Sequence, residues 1–246
     1  MRYLLEVCCG SVDDAIEAEA GGADRVELNS AIFLGGLTPT LGSLIEARKR
    51  LSIPVITMIR PRGAGFCYSE VEIEAMLHDA RLAVEHGTDG IVFGILKPDG
   101  TVDEKACERV IRAAGDTEIV FHRALDVTPD PFKALDSLIE LGFKRVLTAG
   151  QENSAAEGIE VIRELVAHAR GRIEILPGGV TPQTAANVVS YTGADQVHMA
   201  SFKPQPDTST AHRPHVYFGF ALYPPEDRYD LTNRDVVRKV RDRLPR

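Results

Sequence analysis

One phrase recurs four times along the chain: GADRVEL at residues 22–28, GTDGIVF at 87–93, GFKRVLT at 142–148 and GADQVHM at 193–199. Each copy follows a helix-like stretch and opens a short run of apolar, largely β-branched residues. The glycine suits the C-terminus of a helix, where a left-handed residue costs little, and the apolar run then begins a strand. The repetition of helix, glycine and buried strand indicates a chain built from consecutive βαβ units.

Eight short strand-like runs can be counted, with amphipathic stretches between them. The predicted strands span residues 3–8, 25–29, 54–60, 90–94, 118–122, 144–148, 172–177 and 196–200. Ser11 and Ser69 predict capped helix starts, and Pro182 predicts a first helical position. Even spacing without a linker favours an α/β fold with one domain over residues 1–246. Eight βα units close naturally into a (β/α)8 TIM barrel. The alternative is an open doubly wound sheet, which usually has fewer strands.

The composition and charge of the chain argue against several functional classes of protein. The net charge of −8 argues against a general nucleic-acid binder, since such proteins cluster lysine and arginine against phosphates. No apolar run approaches the length of a membrane-spanning helix, so no membrane partner is expected. The N-terminus lacks the apolar core of a signal peptide, and four cysteines in a chain of this size do not suggest a disulfide framework. These features predict a cytoplasmic protein.

In a TIM barrel the functional site lies at the mouth formed by the C-terminal ends of the strands. Carboxylates and imidazoles at these ends are candidate general acids and bases. The predicted catalytic candidates are Glu6, Glu27, His122, Asp126 and His198. The same groups also allow another interpretation, an internal ion-pair network that only holds the barrel closed.

Guanidinium groups and glycines near the mouth predict a site for a small anionic ligand. Arginine suits a carboxylate or a phosphate, and paired glycines leave room for an anion to approach the backbone. The predicted substrate-binding residues are Arg60, Arg62, Arg123, Thr148, Gln151, Gly178 and Gly179. This interpretation predicts an isomerase, lyase or hydrolase that acts on a small carboxylated or phosphorylated substrate.

Ordered motifs along nearly the whole chain point to a known family. They read LEVC at 5–8, GGLTPTLG at 35–42, IRPRG at 59–63, FCYS at 66–69, FHRALD at 121–126, LTAGQ at 147–151 and PGGV at 177–180. Together they resemble the CutC family of copper homeostasis proteins. The resemblance implies a cytoplasmic TIM barrel that is linked to copper tolerance and binds Cu(I) through cysteine. The chain departs from the family pattern at Asn29, where many relatives have cysteine, and at Ala149, where many have serine.

Cu(I) prefers thiolate and thioether ligands, so the predicted copper ligands are Cys8 and Cys67, helped by His122 or His198. Cys9 follows Cys8 directly and is expected to point the opposite way along the strand. A divalent ion held by Glu6, Glu27 and one of the two histidines is a further alternative.

Beyond the eighth strand, a proline-rich loop over residues 202–229 leads to a C-terminal helix at about 232–244. A loop of this length in a compact domain is usually functional or disordered, and this one leaves from the mouth. We therefore expect a lid or a subunit contact, with His212, His215 and Tyr217 reaching the site or a neighbouring chain. Homo-oligomer formation is expected for this fold.

Overall fold

The computed structural model describes residues 2–219 and 224–245. One sheet contains eight strands: β1 (Leu4–Cys9), β2 (Arg25–Leu28), β3 (Val55–Met58), β4 (Gly90–Phe93), β5 (Glu118–Phe121), β6 (Arg145–Thr148), β7 (Glu174–Pro177) and β8 (Gln196–Met199). All the paired strands of this sheet run parallel, and β1 lies between β2 and β8. The eight predicted strands and the barrel are confirmed.

The barrel closes between its seventh and eighth strands through short contacts. A parallel bridge joins Gly178 to His198, and the Val180 amide donates a hydrogen bond to the His198 carbonyl at 3.3 Å. His198 therefore lies at the seam of the barrel as well as at its mouth.

Helices cover the outside of the barrel. They are α1 (Val12–Ala20), α2 (Leu41–Arg50), α3 (Glu70–Glu85), α4 (Glu104–Ala114), α5 (Pro131–Glu140), α6 (Ile159–Ala169), α7 (Ala185–Thr192) and α8 (Arg234–Arg243). Ser11 caps α1, and Ser69 forms a capping box with Glu72 at the start of α3, as predicted. The predicted helix start at Pro182 is wrong: α7 begins at Ala185, and a turn in which the amides of Thr184 and Ala185 donate to the Thr181 carbonyl precedes it.

Side chains alternate along each strand between the barrel interior and the layer under the helices. The outward-facing side chains build the main core, and Cys9 is fully buried there, whereas Cys8 faces inward. One side of the interior is apolar and holds a separate cluster of Ile56, Met58, Val92 and Val120. The other side of the interior is lined by buried polar side chains that extend up to the mouth.

The segment predicted as a loop over 202–229 contains strands. β9 (Phe202–Pro206) pairs antiparallel with β10 (Arg228–Thr232), and residues 220–223 of the predicted loop lie outside the described residues. The predicted helix at 232–244 is α8. His212, His215 and Tyr217 are exposed. Their part in a lid or a subunit contact stays a prediction.

Candidate functional site

Polar side chains of the barrel interior form a continuous network, beginning at Glu6 on β1. Arg25 Nε donates to one oxygen of the Glu6 carboxylate, and His198 Nδ1 lies 2.8 Å from the other. Arg25 also donates from Nη2 to the Gln196 side chain at 2.9 Å. Register explains the contacts, because Glu6 stands opposite Arg25 on β2 and opposite His198 on β8.

The network continues to a second buried arginine. Gln196 Nε2 donates to Glu174 at 3.0 Å, and Arg145 binds Glu174 at 2.8 Å and Glu118 at 2.6 Å. None of these residues was predicted as part of a site. Each is a single polar residue at the start of a strand, and a polar residue in that position of a sequence normally indicates an exposed side chain. The internal ion-pair network that the sequence offered as an alternative is therefore present, and it includes Glu6.

The network sets the charge of its members. Burial would raise the pKa of Glu6, but Arg25, His198 and Arg145 outweigh that effect and hold the pKa well below its usual value. Burial would lower the pKa of His198, but the hydrogen bond to Glu6 and the charge of Glu27 raise it. Glu6 is thus a fixed anion that orients the His198 ring, and the nitrogen left for a ligand is Nε2.

Next to this network, Cys8, Glu27 and His198 bring their ligand atoms together, all within 4.8 Å of one another. Asn29 fixes two of them, because its Nδ2 donates to Glu27 Oε2 at 2.9 Å and to Cys8 Sγ at 3.4 Å. Within residues 2–219 and 224–245 no other group of three such ligands occurs. Cys67 is exposed and is not a member of this group, so a copper site shared by Cys8 and Cys67 stays a prediction.

The pKa values of Cys8 and Glu27 are both raised in this group. Burial, followed by the neighbouring Glu27 carboxylate, raises the pKa of the Cys8 thiol well above its ordinary value. Burial also raises the pKa of Glu27, against the opposing effect of His198. Any cation that binds here must therefore displace a proton from sulfur, and Glu27 is the adjacent group that can accept it.

After β3 and β5, Arg60 and His122 pack against one ring. The Arg60 guanidinium carbon lies 5.2 Å from the centroid of Phe66, and the His122 ring centroid lies 4.7 Å from it. Arg60 donates to the carbonyls of Leu34 and Gly36, both at 3.0 Å, and to that of Ala64 at 2.7 Å. Burial, followed by the Arg60 charge, lowers the pKa of His122 to about 3, so its imidazole is neutral.

The other two predicted arginines already have carboxylate partners. Arg62 pairs with Glu72 at 2.5 Å and also donates to the Cys67 carbonyl at 2.8 Å. Arg123 pairs with Asp126 at 2.7 Å. These contacts reduce what either guanidinium can offer to an incoming anion.

Asp126 joins the loops after β5 and β6. Its carboxylate accepts hydrogen bonds from the Thr148 hydroxyl at 2.5 Å and from the amides of Ala149 and Gln151 at 3.0 and 3.2 Å. The Gln151 side chain in turn donates to the Thr128 carbonyl at 2.7 Å. The geometry makes Asp126 an anchor for this part of the rim, and its catalytic role stays a prediction.

The anion-binding role of the glycine pair after β7 stays a prediction. The Gly178 amide already donates to the Thr148 carbonyl at 2.8 Å. Gly179 has a φ of +75°, and a Cβ there would lie 3.3 Å from Ser154 Cα, so tight packing and a left-handed backbone explain this glycine.

Comparison with known proteins now decides the family. The profile of the CutC family matches residues 3–203. The chain belongs to the CutC family. It is 52% identical to a family protein CutC of Treponema denticola, with 96% of each chain covered. It is 42% identical to the copper homeostasis protein cutC homolog of Homo sapiens, over 97% of this chain and 87% of that protein.

A solved structure supports both the family and the fold. The crystal structure of CutC from Streptococcus agalactiae superposes with a TM-score of 0.77 at 38% identity, covering 80% of this chain and 98% of that one. The barrel described above is therefore the CutC barrel, and the resemblance read from the ordered motifs is confirmed.

Proposed function

We propose that this CutC-family chain is a cytoplasmic copper homeostasis protein that binds one Cu(I) ion at the barrel mouth through Cys8 and His198, with Glu27 beside them. The observation that carries the proposal is the meeting of these three ligand atoms within 4.8 Å. The human and mouse relatives that are named copper homeostasis proteins support the copper assignment.

The donor set fits copper. Cys8 supplies the soft sulfur that Cu(I) prefers, and imidazole is a common copper ligand. The hydrogen bond from His198 Nδ1 to Glu6 is the outer contact that usually orients a metal-binding histidine and raises its basicity. Glu27 lies next to the thiol and can take up its proton when the ion binds.

The cytoplasmic location is proposed because the site needs a reduced thiol. All four cysteines are free, and Cys67 is exposed, which suits a reducing compartment. No helix in the described part of the chain has the length and hydropathy to cross a bilayer.

An anaerobic Cu(I) titration against a competing chelator tests the proposal. We expect one ion per chain, with binding weakened by about 100-fold or more in Cys8→Ser, because a hydroxyl is a poor ligand for a soft ion. Cys67→Ser distinguishes the two predicted thiols and should change the affinity little. Unchanged binding in Cys8→Ser, or a larger loss in Cys67→Ser, would show that copper is not held by this group.

A further inference from the structure

Three arginines of the described chain are buried, and they differ in their partners. Arg25, Arg60 and Arg145 are 7%, 5% and 2% exposed. Arg25 pairs with one carboxylate and Arg145 with two. No carboxylate among residues 2–219 and 224–245 lies within salt-bridge distance of Arg60. A buried charge without a counter-ion is costly, so this exception needs an explanation.

The chain around Arg60 holds the guanidinium in place without neutralising it. Both hydrogens of Nη1 go to the carbonyls of Leu34 and Gly36, and one hydrogen of Nη2 goes to the Ala64 carbonyl. Ala64 adopts a left-handed conformation with a φ of +64°. Nε remains buried with no hydrogen-bond partner. Of five N–H groups, two are thus left without a hydrogen bond of good geometry, with the buried Tyr68 hydroxyl as their nearby neighbour, and two are enough for one carboxylate.

His122 presents a second unused donor. The Ala124 amide donates to His122 Nδ1 at 3.2 Å, so in the neutral ring the proton is on Nε2. His122 Nε2 is buried and has no partner either. His122 and Arg60 both contact the Phe66 ring, so both donors belong to groups that border the same aromatic side chain.

We propose that Arg60 and His122 bind the carboxylate of a small monocarboxylic acid at the barrel mouth. The ligand supplies the negative charge that Arg60 lacks and accepts hydrogen bonds from both orphaned nitrogens. Asn29 Oδ1, a third buried atom without a partner, accepts a hydrogen bond from a hydroxyl on the same ligand. The proposal is independent of copper, since it uses none of the three grouped ligand atoms.

The charged residues of the mouth favour a ligand with one negative charge over a ligand with two. Arg60 is the buried cation without a counter-ion, whereas Glu6 and Glu27 are buried acids of the same barrel interior, and Glu6 already pairs with Arg25. A phosphate dianion would leave one negative charge unbalanced beside the single free guanidinium, while a monocarboxylate balances Arg60 alone. The planar pair of carboxylate oxygens also matches the guanidinium geometry.

The experiment is a titration of the whole protein with acetate, glycolate, lactate and pyruvate, followed by calorimetry and by side-chain NMR of the arginine Nε–H groups. We expect saturable binding of at least one acid at or below about 1 mM, a downfield shift of the Arg60 Nε–H signal, and no binding of the neutral analogue glycolamide. Preferential binding of inorganic phosphate, or no saturable binding of any of the four acids, would overturn the proposal.

Variants locate the site. Arg60→Gln should weaken binding by about 100-fold, and His122→Leu by about tenfold, because each removes donors to a charged acceptor. Arg112→Gln, a matched loss of charge on the exposed face of α4, should leave binding unchanged. Equal binding in Arg60→Gln and the parent would refute the site. If Arg60→Gln does not fold, two other measurements test the site: the shift of the Arg60 Nε–H signal in the parent protein, and the affinity of His122→Leu for the acid.

The same variants separate this proposal from the copper proposal. Cys8→Ser should bind the carboxylate normally, and Arg60→Gln should bind Cu(I) normally. Loss of carboxylate binding in Cys8→Ser would contradict an independent subsite even where copper binding is as proposed.

Discussion

Replacing Glu6 by glutamine removes one charge from the buried network and leaves its shape nearly intact. Arg25 is 7% exposed, and its other side-chain hydrogen bond goes to neutral Gln196, so the guanidinium keeps no carboxylate partner. Breaking a buried ion pair from one side costs about 3–5 kcal/mol. Glutamine can still accept one hydrogen bond, so we expect a loss of about 3 kcal/mol in the free energy of unfolding.

Glu118→Gln is the matched control. It makes the same chemical change beside a buried arginine, but Arg145 retains Glu174 at 2.8 Å, and the Glu118 side chain is 29% exposed. We expect a loss of about 1 kcal/mol or less, as for a solvent-accessible pair.

Urea unfolding followed by circular dichroism measures both variants. The denaturation midpoint should fall much further for Glu6→Gln than for Glu118→Gln, with the same dependence on urea for both. Equal losses, or a loss below 1 kcal/mol for Glu6→Gln, would mean that the Glu6–Arg25 pair is not the critical charge of this network.

Three further predictions concern the mouth. Gly94→Ala places a Cβ 2.5 Å from His122 Cε1, so the free energy of unfolding, measured by urea titration, should fall by about 1–3 kcal/mol. Unchanged stability would contradict the tight packing of Gly94 against His122. Asn29→Cys puts a second thiol beside Cys8 and should raise Cu(I) affinity about tenfold or more in chelator competition, whereas Asn29→Ala should not. Folding lowers the pKa of His122 from 6.5 to about 3, so between these pH values only the unfolded chain takes up this proton. Stability should therefore fall by about 1.4 kcal/mol per pH unit on acidification, and His122→Leu should lack that slope; identical slopes would argue against a buried neutral ring.

The barrel could be predicted because its signal is local. Each unit carries its own glycine and apolar strand, so eight strands could be counted without knowing how they pair. The hairpin of β9 and β10 could not be predicted in this way. Pro204 and Pro206 lie within β9, and proline normally argues against a strand unless it lies at an exposed edge.

The site could be predicted only in part. Parallel strands bring their C-terminal ends to one mouth, which is why Cys8, Glu27 and His198 are each candidates from the sequence; that these three form one group follows only from the structure. The pairing of charged side chains depends on the register between neighbouring strands and on the conformation of the loops that follow them. Those place Arg25 opposite Glu6 and carry Arg62 to Glu72, while Arg60 keeps only carbonyl partners.

The seam of the barrel has a consequence for biosynthesis. Cys8 and Glu27 leave the ribosome early and lie on adjacent strands, but His198 comes from the last strand of the barrel, which pairs with the first. Folding that joins the two ends of a chain waits until most of the sequence is available. A nascent chain without β8 has the thiol and the carboxylate but lacks the His198 imidazole. The three ligands of the proposed copper site therefore come together only after β8 has been synthesised and has paired with β1, late in the synthesis of the barrel.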